Sequence, residues 1–86
     1  MKTVVVNLKN FTLAHDILVL GEDNELLCKS PSSMKNISEN IVEKCHFYNS
    51  TKVKILGNAK YTTKISQDIK QLGLAKYSLT LDIEII

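Results

Sequence analysis

A single α/β domain with one mixed five-stranded sheet is predicted for this chain of 86 residues. Two observations carry the prediction. Apolar residues recur with a period of two through the first third of the chain, and helix-period and strand-period segments then alternate to the end. The summed order is β-β-β-α-β-α-β, for which one sheet with two helices is the simplest arrangement that buries both helical stripes.

The first strand is expected at Thr3 to Leu8. Val4, Val5 and Val6 are β-branched and place apolar groups on both parities, the pattern of a central strand buried on both faces. Lys9-Asn10 is a polar break of turn type. Phe11 to Leu20 reads as the second strand, with Leu13, His15, Ile17 and Val19 on one side and Ala14, Asp16, Leu18 and Leu20 on the other. Gly21-Glu22-Asp23-Asn24 is a turn cluster, and Glu25 to Lys29 completes an antiparallel meander.

Ser30-Pro31-Ser32-Ser33 is expected to stop the sheet and to offer a serine hydroxyl as a helix cap. Met34, Ile37, Ile41, Cys45 and Tyr48 then recur at spacings of three and four, predicting an amphipathic helix over 33–48. Asn49-Ser50-Thr51 ends it. Val53, Ile55 and Leu56 form the fourth strand, closed by Gly57-Asn58, and Tyr61, Ile65, Ile69 and Leu72 draw a second helical stripe. Gly73 occupies the place where a left-handed residue commonly terminates a helix. In the last segment Leu79, Leu81, Ile83 and Ile85 alternate with Thr80, Asp82 and Glu84, predicting an edge strand with one wet face.

Composition narrows the function classes. With 44% hydrophobic and 23% charged residues the chain is ordinary globular protein. No apolar run approaches the roughly 20 residues that span a bilayer, and the N-terminal segment lacks the apolar core of a secretory signal, so a cytoplasmic protein without membrane contact is expected. Cys28 and Cys45 are separated by sixteen residues without a CxxC partner. They read as small buried apolar residues in a reducing compartment. Sequons at Asn10, Asn36 and Asn49 have no secretory route to give them meaning.

The element order, taken over all 86 residues, resembles the ribonuclease H-like fold in its smallest form. The resemblance implies a sheet order of 3-2-1-4-5. It also implies, for members that cut nucleic acid, two divalent cations held by carboxylates in the first strand, in the first helix and at the tip of the fourth strand. Hard cations take oxygen ligands, and several negative charges are needed to keep two of them a few ångströms apart. Matched element to element, the first of these positions falls on Asn7 and the last on Asn58. Only the helices keep acids, Glu39 and Glu43 in the first and Asp68 in the second. Two neutral amides remove two formal charges, so metal-dependent cleavage is not expected and no cofactor is implied.

Other constellations are weak. His15 and His46 lie in no recognisable nucleophilic arrangement, and the three glycines do not form a phosphate loop. Charge is segregated along the chain: Asp16 to Glu43 carries six acids and two lysines, whereas Lys44 to Lys76 carries seven lysines and one acid. Lys52, Lys54, Lys60, Lys64 and Lys76, with Lys70, Tyr61 and Tyr77 nearby, would form a nucleic-acid face if they converged. The absence of arginine and a pI of about 8.6 weigh against it.

The last strand supplies the leading expectation. At a sheet edge, Leu79, Leu81, Ile83, Ile85 and Ile86 would offer backbone and apolar side chains to a protein partner or to a second copy of the chain. A non-catalytic protein-interaction module, self-associating, is therefore expected. The lysine-, asparagine- and isoleucine-rich composition suggests an accessory protein of a phage or bacterium. The alternatives are a nucleic-acid-binding module using the lysines, and a residual nuclease using Glu39 or Glu43.

Overall fold

Three consecutive valines make Thr3–Leu8 the central strand, β1. It pairs antiparallel with β2 (Ala14–Leu20), which pairs antiparallel with β3 (Leu26–Ser33). On its other side β1 runs parallel to β4 (Lys52–Gly57), and β4 is parallel to β5 (Asp82–Ile85). The sheet order is thus β3-β2-β1-β4-β5, as the resemblance implied. The computed structural model describes residues 1–8 and 14–86; the expected turn at Lys9-Asn10, the sequon at Asn10 and the first part of the expected second strand lie outside the described residues.

The third strand is longer than expected. Ser30-Pro31-Ser32-Ser33 does not stop the sheet; it continues β3, with Pro31 opposite Asp16 and Ser32 opposite His15. Proline lacks a ladder donor, and an edge strand tolerates it where a central strand would not. The cap does form at the end of this stretch, where the Ser33 hydroxyl accepts from the Asn36 amide at 3.3 Å. One 3₁₀ turn (Met34–Asn36) leads into helix α1 (Ile37–Phe47). Asn49 follows it with φ 54°, a left-handed conformation that asparagine adopts at little cost.

Ser50 is fully buried and joins distant parts of the chain. Its hydroxyl donates to the Lys2 carbonyl at 2.7 Å, and the Lys52 amide donates back to it at 3.3 Å, so one side chain latches β4 to the start of β1. Past β4, Asn58 caps helix α2 (Ala59–Leu72) through its Oδ1, which accepts from the Lys60 amide at 3.0 Å.

Gly73 departs from its expected role. Its φ is −59° and the chain runs on into a π turn (Gly73–Tyr77), ending at Ser78 with φ 55°. Glycine is needed there for room: a Cβ would lie 3.1 Å from the Leu79 carbonyl oxygen and 3.3 Å from Leu81 Cδ1. Leu79 and Leu81 precede β5 and do not belong to it. The Leu79 amide bonds to the Gly73 carbonyl at 2.9 Å, and Leu81 is buried in the core.

Strands β3, β1, β4 and β5 all point one way, and both crossovers step across the sheet in the same direction. Right-handed connections then put α1 and α2 side by side on one face. There they form a single core: Val4, Val6, Ile17, Val19, Val53 and Ile55 meet Ile37, Ile41, Cys45, Ile65 and Ile69. Cys28 is only half-buried, so the expectation of two buried cysteines holds for Cys45 alone.

Thr62 also faces this core. Its hydroxyl is buried without a hydrogen-bond partner among the described residues. An unpaired buried donor costs about 1–3 kcal/mol. Thr62→Val keeps the shape and removes the polar group, so denaturant unfolding is expected to show a gain of about 1 kcal/mol.

Among the described residues the opposite face of the sheet is bare. Val5 is half-buried and Asn7, Lys52 and Lys54 are exposed, although β1 and β4 are interior strands. The expected burial of β1 on both faces is therefore corrected: among the described residues, nothing forms a second layer over its odd-numbered positions, of which Asn7 is exposed and Thr3 and Val5 are half-buried.

Candidate functional site

The C-terminal ends of β1 and β4 lie together, with Leu8 opposite Gly57. This is the end at which the resemblance places paired cations. The side chain of Asn7 alternates with those of Val6 and Leu8, so it lies on the bare face while its neighbours point toward the helices. The β1 residue that meets the helical layer at this end is Leu8, 6% exposed. Asn58 spends its amide oxygen on the helix cap described above.

Several side chains near this end are bonded within the fold. His15 Nδ1 lies 3.0 Å from the Asn7 carbonyl oxygen, and Asn40 Nδ2 donates to the Ser32 hydroxyl at 2.7 Å. Asp16 stands beside Asn7 on the bare face, one step past the Val6–Ile17 pair, and the helix acids lie elsewhere. Glu39 and Asp68 line an open groove of about 450 Å³ on the outer side of the helix pair, with Ser38 and Gln71. Glu43 faces a separate groove with Asn40, Lys44 and Phe47. Among the described residues, no group of three or more His, Cys, Asp or Glu side chains is placed to hold a metal ion. The donor set does not fit paired divalent cations. Even Asn7→Asp combined with Asn58→Asp would place its two carboxylates apart, one of them on the far face of the sheet. Thermal unfolding of that double variant is expected to be unchanged by Mn²⁺, and a metal-dependent rise would show that the two positions do converge.

The lysines expected to form one surface are divided. Lys52 and Lys54 stand on the bare sheet face, across the ladder from Asp82 and Glu84. Lys60 and Lys64 are exposed on α2, in the layer covering the other face, and Lys76 lies in the π turn with its Nζ 5.4 Å from the Tyr77 ring centroid. Five lysines close in sequence thus point to opposite sides of the molecule. Tyr77 is instead stacked on His46, with ring centroids 4.2 Å apart.

The expected partner-binding edge is shorter than its sequence pattern. β5 is an edge strand, but Leu79 and Leu81 are engaged with the π turn and the core. Asp82 and Ile86 donate to Thr51 and Ile55 of the β4 side at 2.7 and 2.9 Å. By the two-residue period, only Ile83 and Ile85 turn their backbone groups outward. Two residues make a poor template for an added strand. Ile85 and Ile86 remain exposed, and Ile83 is half-buried.

Sequence reasoning missed the bare sheet face. In register across it lie Lys29, Leu18, Val5, Lys54 and Glu84, with Leu20, Thr3, Lys52 and Asp82 in the next row. Leu18, Leu20, Val5 and Leu56 are half-buried there, with nothing packed over them among the described residues. A signal was present in the alternation of Lys52 and Lys54 with Val53 and Ile55, which marks a half-wet strand.

The architecture is that of the ribonuclease H-like fold: one mixed five-stranded sheet with two helices in α/β order. A solved structure that shares it is T. thermophilus RuvC in complex with a Holliday junction substrate, at 10% sequence identity and a TM-score of 0.64. The match covers all of this chain and 65% of the RuvC chain. No protein-family model and no curated protein sequence matches. Among the described residues, no helix is long and apolar enough to cross a membrane.

Proposed function

We propose that this chain is a non-catalytic protein-binding module whose partner covers the bare face of the sheet. The observation that carries the reading is the half-buried apolar strip of Val5, Leu18 and Leu20 on interior strands, with no second layer over it among the described residues. Antiparallel pairs such as β1–β2 ordinarily turn polar residues to a solvated face, whereas Val5, Leu18 and Leu20 are apolar there. Charge on this face is balanced, with Lys29, Lys52 and Lys54 against Asp16, Asp82 and Glu84. A balanced face has no net pull on a polyanion, whereas a mixed apolar and charged face suits a protein. Asn7 and Asn58 carry no formal charge at the positions the resemblance assigns to carboxylates, which supports the absence of cleavage.

Val5→Glu is expected to abolish partner capture while the variant still unfolds cooperatively, because the new carboxylate would stand on a wet face. Leu18→Lys should do the same. Retention of the wild-type partner set by both variants would defeat the reading.

A second reading, nucleic-acid binding, is favoured by two observations: Lys60, Lys64 and Lys70 are all exposed on α2, and the neighbour with the same fold is solved with a Holliday junction substrate. It requires retention on DNA that falls with salt and with Lys60→Glu plus Lys64→Glu.

A further inference from the structure

We infer that β5 is a replaceable cover on the edge of β4, and that a strand of another protein, with aliphatic and acidic residues in alternation, takes its place. The inference goes beyond the reading above, since it concerns an edge of the sheet and not its bare face.

The edge beneath β5 is a longer template than β5 itself. The Thr51 and Ile55 carbonyls accept from the Asp82 and Ile86 amides at 2.7 and 2.9 Å, and the Gly57 amide donates to the Ile86 carbonyl at 3.5 Å. By the two-residue period Val53 turns its backbone groups to the same side, so the row runs from 51 to 57. β5 lies lightly on it. Only Ile83 of its four residues is half-buried, and the other three are exposed. Val53 and Ile55, in register with Ile83 and Ile85, are 0% exposed. A segment with few buried contacts and backbone bonds open to water separates locally, without unfolding of the domain. Once it does, β4 presents unpaired backbone groups beside two aliphatic side chains, a combination that takes up a new strand.

Leu81 sets where the separation starts. It is buried against Gly73, and the Leu79 amide is bonded to the Gly73 carbonyl at 2.9 Å, so the chain is anchored up to that point. From Asp82 onward it leaves β4 while the helices keep their packing.

The chemistry of the incoming strand follows from the two faces of β4. Lys52 and Lys54 stand on the bare face in register with Asp82 and Glu84, and Val53 and Ile55 stand on the helix face in register with Ile83 and Ile85. A strand laid parallel to β4 in this register must set carboxylates beside the lysines and aliphatic groups against the core. Lysines in the first set are repelled, and polar groups in the second are left against apolar neighbours.

Two measurements on the full chain test this. In native-state hydrogen exchange the Asp82 and Ile86 amides are expected to exchange at least about ten-fold faster than those of Val4 and Val6 in β1. Equal protection would mean that β5 leaves only when the whole domain unfolds, and the inference would be lost. The second measurement is the fluorescence anisotropy of a dye-labelled synthetic peptide copying residues 81–86. Asp82→Lys with Glu84→Lys sets lysine against lysine within the chain, at exposed positions that leave the core intact. This variant is expected to take the peptide about ten-fold more tightly than wild type. Exchanging the peptide's two acids for lysines should reverse that gain. Equal affinity of the two chains, absence of binding to both, or indifference to the peptide's charges would overturn the inference. A concentration-dependent dimer in sedimentation that the acidic peptide dissolves would identify the occupant as β5 of a second copy and overturn the foreign strand.

Discussion

Ile41→Ala is expected to destabilise the domain by about 2–5 kcal/mol, measured by denaturant unfolding. Ile41 is 0% exposed and sits in the middle of α1, facing a sheet whose Val4, Val6, Ile17 and Val53 are equally buried. The substitution removes three carbons from a close-packed layer, and rigid strands behind it limit collapse into the space. A domain of this size has a total stability of roughly 5–15 kcal/mol, so a large fraction of it would go. The midpoint of thermal unfolding should fall by about 10 °C or more. An equal truncation on the bare face, Leu18→Ala, should cost far less, because Leu18 is half-exposed and leaves no cavity. Similar losses at the two positions would mean that the bare face is packed in solution.

Stability is also expected to fall steeply between pH 9 and about 12 because of Cys45. Burial pushes its thiol from the usual 9.0 up to about 12. The sign follows from which state gives up the proton. Below pH 9 the thiol is neutral in folded and unfolded chains, and its contribution is fully present. Between 9 and 12 only the unfolded chain ionises, which favours unfolding by ~1.4 kcal/mol per pH unit. The loss is complete once the folded thiol also titrates, at about 4 kcal/mol in total. The diagnostic is the slope of wild type minus that of Cys45→Ala. Equal slopes would show that the thiol ionises in place. In the native protein alkylating reagents should modify the half-buried Cys28 and spare Cys45.

The elements legible in the sequence were those whose burial is one-sided and whose ends carry a specific cap. Ile37, Ile41 and Cys45 form the buried stripe of α1, and Ser33 caps where its hydroxyl is placed to accept. Reading failed where one residue has two physical uses. Pro31 breaks an interior strand but sits comfortably on an edge. Gly73 suits a left-handed terminus, yet here it admits the Leu79 carbonyl and the Leu81 side chain. Alternation from Leu79 to Ile85 continued through residues that are not strand, since a segment crossing the end of a core can also bury every second side chain.

The candidate site was less legible because it depends on parity and on layers. Asn7 was placed in the right strand, but its side chain is on the far side from α1, where one residue earlier or later would have faced it. Lys52 and Lys54 are near Lys60 and Lys64 in sequence and on opposite sides of the sheet in space. Val5 lies in an apolar triplet that looks equally buried throughout. Only the shared hand and direction of the two crossovers reveals that both helices cover the same side, and that depends on strand order.

The Ser50 latch has a consequence for the order of assembly. β1 to β3 lie within the first 33 residues and can zip together as local hairpins, but the second edge of β1 stays unsatisfied until residues 50–57 arrive to be fastened at Lys2. During synthesis that open edge is displayed across the whole interval in which α1 is being made. The earliest strand of the chain is therefore enclosed late, and the side chain that fastens it comes from the far end of the helix it must wait for.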